Sequence, residues 1–126
     1  RKLHEIIARK THEWGKDLTG REGYSAIGAV VGATYSHEMA VLRKIMPKTY
    51  FLVPGYGAQG ATANDIKYCF NKDGLGAIIN ASRSILYAYD ISPWKEKYGI
   101  TAWKEATSEA LIKMNEEMRN VLEISY

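Results

Sequence analysis

The chain has 126 residues, 46% of them apolar and 25% charged, with 17 basic against 14 acidic side chains and a net charge of +3. That is the size and balance of one ordinary globular domain. It excludes a membrane-spanning helix, since no stretch approaches the roughly eighteen uninterrupted apolar residues one needs, and it disfavours a nucleic-acid partner, whose binders gather their basic residues in runs.

Cys69 is the only cysteine. No internal disulfide can form, and a reducing, cytoplasmic compartment is expected. The chain opens Arg1-Lys2-Leu3-His4, with neither an initiator methionine nor the basic, apolar and small-residue succession of a signal peptide. It is expected to open inside a longer protein, within a helix.

Leu3, Ile7, Trp14 and Leu18 recur at helical spacing, which predicts an amphipathic helix broken at Gly20 and Gly23. Ala26 to Val31 is a short apolar run ended by Gly32 and predicts a buried strand. Thr34 or Ser36 can cap a second helix with Met39, Leu42 and Ile45 on its apolar face, closed by Pro47. Tyr50 to Val53 predicts a second buried strand, followed by a glycine-rich loop from Pro54 to Gly60 and a short helix from Ala63 to Phe70. An Asp73-Gly74 turn leads to a third strand over 76–79, then a short helical turn near Ser84 and a break at Pro93-Trp94. From about Thr101 a long helix lines up Trp103, Ala106, Ala110, Met114, Met118 and Val121.

Apolar strands alternating with helices predict an α/β fold, a parallel sheet covered on both faces. Each unit takes about 25 to 30 residues, the repeat of a (β/α)8 TIM barrel of roughly 250, so three units are less than half a barrel. Cut from its neighbours, such a sheet would leave two unpaired edges and a bare helix-facing surface, and self-association into a homo-oligomer is expected.

In these barrels ligands meet the C-terminal ends of the strands, and phosphate commonly sits on the last loops. Two segments follow strands here. In Pro54-Gly55-Tyr56-Gly57-Ala58-Gln59-Gly60 the glycines let backbone N–H groups approach an anion, and Gln59 is long enough to reach a ligand. In Asn80-Ala81-Ser82-Arg83-Ser84, Arg83 offers a fork of donors matched to phosphate oxygens, and a helix start would add N–H groups. Singly, the first reads as a plain turn and the second as a solvated charge. On adjacent strands of one parallel sheet they bring the phosphate reading level with the bland one.

Three ordered stretches resemble the orotidine 5′-phosphate decarboxylase family: Val30-Val31-Gly32-Ala33-Thr34, then Phe51 through Gly60, then Ile78 through Ala88. The likeness is to the C-terminal part of the barrel, of the ribulose-phosphate-binding type, in the longer bacterial subfamily. Only Ala81 departs from that subfamily's Asn-Ser-Ser-Arg pattern. The resemblance implies one partial domain over 1–126, with Gln59 of the Pro-Gly-x-Gly-Ala-Gln-Gly loop and Arg83 holding a substrate phosphate. Gly57, Gly60 and the backbone of Ser82 stand beside them. It also implies a lyase that removes carbon dioxide from orotidylate, giving uridylate in pyrimidine biosynthesis, with neither metal nor cofactor. A free-standing phosphate or nucleotide binder and another sugar-phosphate enzyme of the same superfamily are the alternatives.

The family's catalytic lysine and aspartates lie in an Asp-x-Lys-x-x-Asp segment. Asp65-Ile66-Lys67 has its first spacing, but residue 70 is Phe, so a solvated helix face is expected there. This chain alone is therefore expected to be inactive. His4, His12 and His37 lack metal-ligand spacing, Cys69 reads as a half-buried inert thiol, and Ser25, Ser82 and Ser84 lack a nucleophile-elbow context. Trp14, Trp94, Trp103 and the tyrosines read as packing residues.

Overall fold

A computed structural model describes residues 2–57 and 60–123. Three parallel strands, β1 (Gly28–Val30), β2 (Tyr50–Val53) and β3 (Ala77–Ile79), pair in the order β1-β2-β3. Helix α1 (Leu3–Gly15) precedes β1 and α2 (Ser36–Ile45) joins β1 to β2. The short α3 (Ala63–Ile66), continued by a 3-10 turn over 67–69, joins β2 to β3. Beyond β3 come α4 (Arg83–Leu86), α5 (Trp94–Lys97) and the long α6 (Trp103–Leu122). The strands and the long final helix fall where the residue pattern places them, with ends shifted by one or two residues.

Side chains alternate across a strand, so each strand feeds two surfaces. Phe51 and Val53, both 0% exposed, face the helices and form one core with Met39 of α2, Ile66 of α3, Cys69 and Met114 of α6. The cross-strand row Val30–Leu52–Ile78 points the other way and is 71%, 43% and 60% exposed. The expectation of a sheet covered on both faces fails for the described residues, as does that of a bare helix-facing surface. The helix-facing side is the covered one. The bare side is the one that a closed barrel fills with side chains from all its strands.

Two helix-level expectations also change. In α1 the buried residues are Ala8, Thr11 and Gly15, whereas Leu3, Ile7 and Trp14 are exposed, and Leu18 lies past the helix end. Small residues let α1 approach closely: a Cβ on Gly15 would stand 2.2 Å from Ser25 Oγ. Leu3 and Ile7 instead line an apolar groove shared with Val30, Leu42 and Met46. In α2 the N-cap is Tyr35, and neither Thr34 nor Ser36 supplies a capping side chain. On α6, Ala106, Ala110 and Met114 are buried and Met118 and Val121 pack on the core, while Trp103 stays exposed. A satellite cluster of Ala88, Ala106 and Ala110 takes in Trp94 and Tyr98.

The N-terminal ends of β2 and β3 are tied by Arg43, which is only 6% exposed. Its guanidinium donates to four backbone carbonyls: Nε to Cys69 (2.7 Å), Nη1 to Met46 and Thr49 (2.8 Å each), and Nη2 to Gly76 (2.6 Å). It also lies over the Phe51 ring, 3.7 Å from the centroid. Burial holds its pKa below the ordinary arginine value, yet no carboxylate pairs with it among the described residues; carbonyl dipoles take that place. Gly76 is required there, because a Cβ would meet Asn71 Nδ2 at 3.1 Å and Arg43 Nη2 at 3.2 Å. Beside this knot Tyr24 Oη donates to Asp73 Oδ2 (2.9 Å), and Asn71 Nδ2 donates to Tyr24 Oη (3.1 Å) and to the Pro47 carbonyl (2.9 Å).

Arg43→Met keeps an apolar stem over Phe51 but strands the Cys69 and Thr49 carbonyls, while those of Gly76 and Met46 keep Phe51 N and Thr49 N as donors. It should lower the unfolding free energy by roughly 2 to 4 kcal/mol in urea titrations of the full-length protein, the cost of leaving two buried carbonyls without a donor. A loss below about 1 kcal/mol would mean that water or other donors satisfy those carbonyls.

Candidate functional site

The loops after β2 and β3 lie side by side because the strands are neighbours. Asn80 N donates to the Val53 carbonyl at 2.9 Å, carrying the sheet's register one step into them. The glycine loop closes on itself: Gly57 N donates to the Ala61 carbonyl (3.0 Å), Gly60 N donates to the Gly57 carbonyl (3.0 Å), and Tyr56 and Ala61 form a parallel bridge. Gly57 has φ +78°, and a Cβ on it would come within 3.2 Å of Ser84 Oγ. A side chain there would be strained and would push the two loops apart.

Arg83 is the first residue of α4 and is exposed; no described residue engages its guanidinium in a hydrogen bond or ion pair. The amides of Ser82, Arg83 and Ser84 likewise meet no acceptor among the described residues, whereas the Ser82 carbonyl accepts from Ile85 N (3.3 Å) and Leu86 N (2.8 Å). A four-residue helix has little macrodipole, so the arginine charge and the free N–H groups carry what anion affinity this end has. Ser84 Oγ is buried without a hydrogen-bond partner among the described residues. Four of the five residues singled out from the sequence, Gly57, Gly60, Ser82 and Arg83, therefore belong to these two adjacent loops. The fifth, Gln59, lies outside the described residues.

Between the glycine loop and α6 is an open cleft of about 570 Å³, lined by Tyr56, Gly57, Gly60, Ser84, Trp94, Lys113 and Glu117 among others. Tyr56 is 7% exposed, and its Oη donates to Glu117 Oε2 at 2.5 Å. Burial, then the hydrogen bond and negative charge of Glu117, push the phenol pKa well above its ordinary value. The residue pattern did not single out this pair. Its one trace in the sequence is that Glu117 stands three residues after Met114 and four before Val121, at helical spacing from both.

Asp65 has a local task. Its Oδ2 accepts from Thr62 N (2.8 Å) and Thr62 Oγ1 (3.0 Å), a capping box that starts α3 and holds its carboxyl below the usual range. Cys69 is 0% exposed rather than half-buried; its Sγ–H donates to the Ile66 carbonyl at 2.7 Å, and burial pushes the thiol up to about 12. No three His, Cys, Asp or Glu side chains cluster as metal ligands, and no helix is long and apolar enough to cross a membrane, among the described residues.

Three parallel βα units, with their elaborated loops at the C-terminal strand ends, define the chain as part of a (β/α)8 barrel. No family model matches it. It is 49% identical over 87 residues, 69% of the chain, to orotidine 5′-phosphate decarboxylase of Caldicellulosiruptor bescii. It is 37% identical over 121 residues, 93% of the chain, to that of Rhodopirellula baltica. Among solved structures, a Toxoplasma gondii protein described as an orotidine-monophosphate-decarboxylase superposes with a TM-score of 0.70 at 26% identity, over 97% of this chain and 43% of that one. The chain belongs to the orotidine 5′-phosphate decarboxylase family, and it spans 28% and 39% of the length of the two curated relatives.

The raised thiol pKa has a measurable sign. A group held neutral in the folded state contributes stability below its unfolded pKa of about 8.5, and loses it as pH rises from there towards the folded value. Native protein at pH 8 should therefore leave Cys69 unmodified by a thiol-disulfide reagent, with full reaction only in urea. Rapid modification of the native protein would contradict the burial.

Proposed function

We propose that this chain is the phosphate-gripping portion, a single partial domain over 1–126, of an enzyme that decarboxylates orotidylate to uridylate. The observation that carries the reading is the placement of Arg83 and the open amides of 82–84 beside the closed turn of Gly57 and Gly60, on adjacent strand ends. The relatives at 37–49% identity support it. Arg83 supplies a charged fork for a phosphate dianion, the amides of Ser82 to Ser84 donate to its remaining oxygens, and the family resemblance assigns Gln59 to the same phosphate.

Phosphate lies away from the bond that breaks, so its binding energy helps only when it is expressed in the transition state, by orienting the ring and excluding water. The lysine and aspartates that act on the reacting carbon lie in the Asp-x-Lys-x-x-Asp segment, and nothing in the chain matches it. Asp65, the nearest candidate, caps α3 instead. By itself the chain is then inactive. The complete enzyme is cytoplasmic and uses orotidylate without metal, cofactor, nucleic acid or membrane.

In the full-length protein Arg83→Ala should weaken orotidylate and uridylate binding by about 2 to 4 kcal/mol, the range for truncating one partner of a charged pair. A change of less than about threefold in both would refute the assignment. Loss of orotate absorbance during turnover reports the reaction itself; a folded full-length protein without it would move the chemistry to another sugar phosphate. For the isolated chain, the bare Val30–Leu52–Ile78 row and the open sheet edges lead to self-association. Light scattering should show an oligomer, and a monodisperse monomer at high concentration would contradict this.

A further inference from the structure

We propose that Tyr56 is a positioning residue for the phosphate loop, held in place from α6 by Glu117; this rests on the phosphate reading of the two loops. Tyr56 is the one large side chain between Pro54 and Gly57, and it is buried while Gly57 and Gly60 are exposed. Gly57 follows it at φ +78°, a conformation open to glycine and to little else, so the backbone there has no side chain of its own to hold it. The hold comes from the neighbouring residue. Its ring packs in the main core, its backbone bridges to Ala61 across the turn, and its hydroxyl donates to Glu117 Oε2 at 2.5 Å.

The two partners are 61 positions apart, so the bond joins a strand-end loop to the last helix rather than serving local structure. Glu117 lies in an exposed turn of α6, with its carboxylate turned back to the loop. Gly57 in turn fits against Ser84 within the space left by a missing Cβ, and Ser84 follows Arg83. A chain of contacts thus runs from Glu117 through Tyr56 and Gly57 to the start of α4. Without the Tyr56–Glu117 bond the turn is free to shift relative to Arg83, and affinity should fall only for ligands that carry phosphate.

Inhibition constants of uridylate and uridine against the full-length enzyme test this. Tyr56→Phe and Glu117→Ala should each weaken uridylate about tenfold, the worth of one hydrogen bond to a charged group, while uridine changes by less than about twofold. Glu117→Gln keeps an acceptor oxygen and should recover most of the loss. Glu117 is exposed, so its variants fold even if Tyr56→Phe does not. Equal weakening of uridine and uridylate would mark a general structural defect and overturn the proposal, as would uridylate affinity left unchanged by Glu117→Ala. Arg83→Ala separates the two readings. If it weakens uridylate while Glu117→Ala does not, only the positioning role falls. If it too has no effect, the phosphate site falls and the positioning role with it.

Discussion

The buried guanidinium of Arg43 is the contact on which the rest of this fold depends. One side chain on α2 satisfies carbonyls that precede β2, precede β3 and end the turn after α3, while its plane covers Phe51 at the centre of the core. Buried carbonyls without donors cost more than a formed hydrogen bond returns. One residue that brings several donors in a rigid plane lets the segments entering the sheet converge there, although Gly76 and Met46 also accept backbone N–H groups. A lysine has a single nitrogen and could not reach four carbonyls spread over three segments.

That knot lies at the N-terminal ends of the strands, while both elaborated loops lie at the C-terminal ends, and the division is physical. At the N-terminal ends the polar groups are paired: Arg43 donates to backbone carbonyls, and Asn71, Tyr24 and Asp73 bond one another and the nearby backbone. At the C-terminal ends donors are left over, on Arg83 and on the amides that begin α4. A paired network holds shape, and surplus donors are what an anionic ligand can use. The core of Phe51, Val53, Ile66 and Met114 lies between the two ends.

The helix-facing surface of the sheet is complete and the opposite surface is not. Val30, Leu52 and Ile78 form a row that a closed barrel fills from its other strands, and the chain spans about two fifths of the length of the Rhodopirellula relative. The same arithmetic explains why α1 shows its larger apolar residues outwards. Helices of such a barrel pack against neighbours on both flanks as well as against the sheet, so Leu3, Ile7 and Val30 line a groove at the edge of what is present.

The strands, the long final helix and the two loops were legible in the sequence because each is written in neighbouring residues. Short apolar runs ended by glycine or proline, the period of Ala106, Ala110 and Met114, and the Gly57–Gly60 and Asn80–Ser84 segments need no distant partner to be recognised. Even the capping box of Thr62 and Asp65 can be read from a spacing of three. Arg43 was not legible, although it stands four residues after Met39 on the same helix face. A charged residue in a last helical turn ordinarily points to solvent, and only carbonyls arriving from 26 and 33 positions away make its burial favourable. Nor was Tyr56 with Glu117, whose bond spans 61 positions. Local pattern determined which segments are strands, helices and loops. The tertiary structure alone decided which polar side chains are buried, because the cost of burying one depends on partners that only the folded chain brings near.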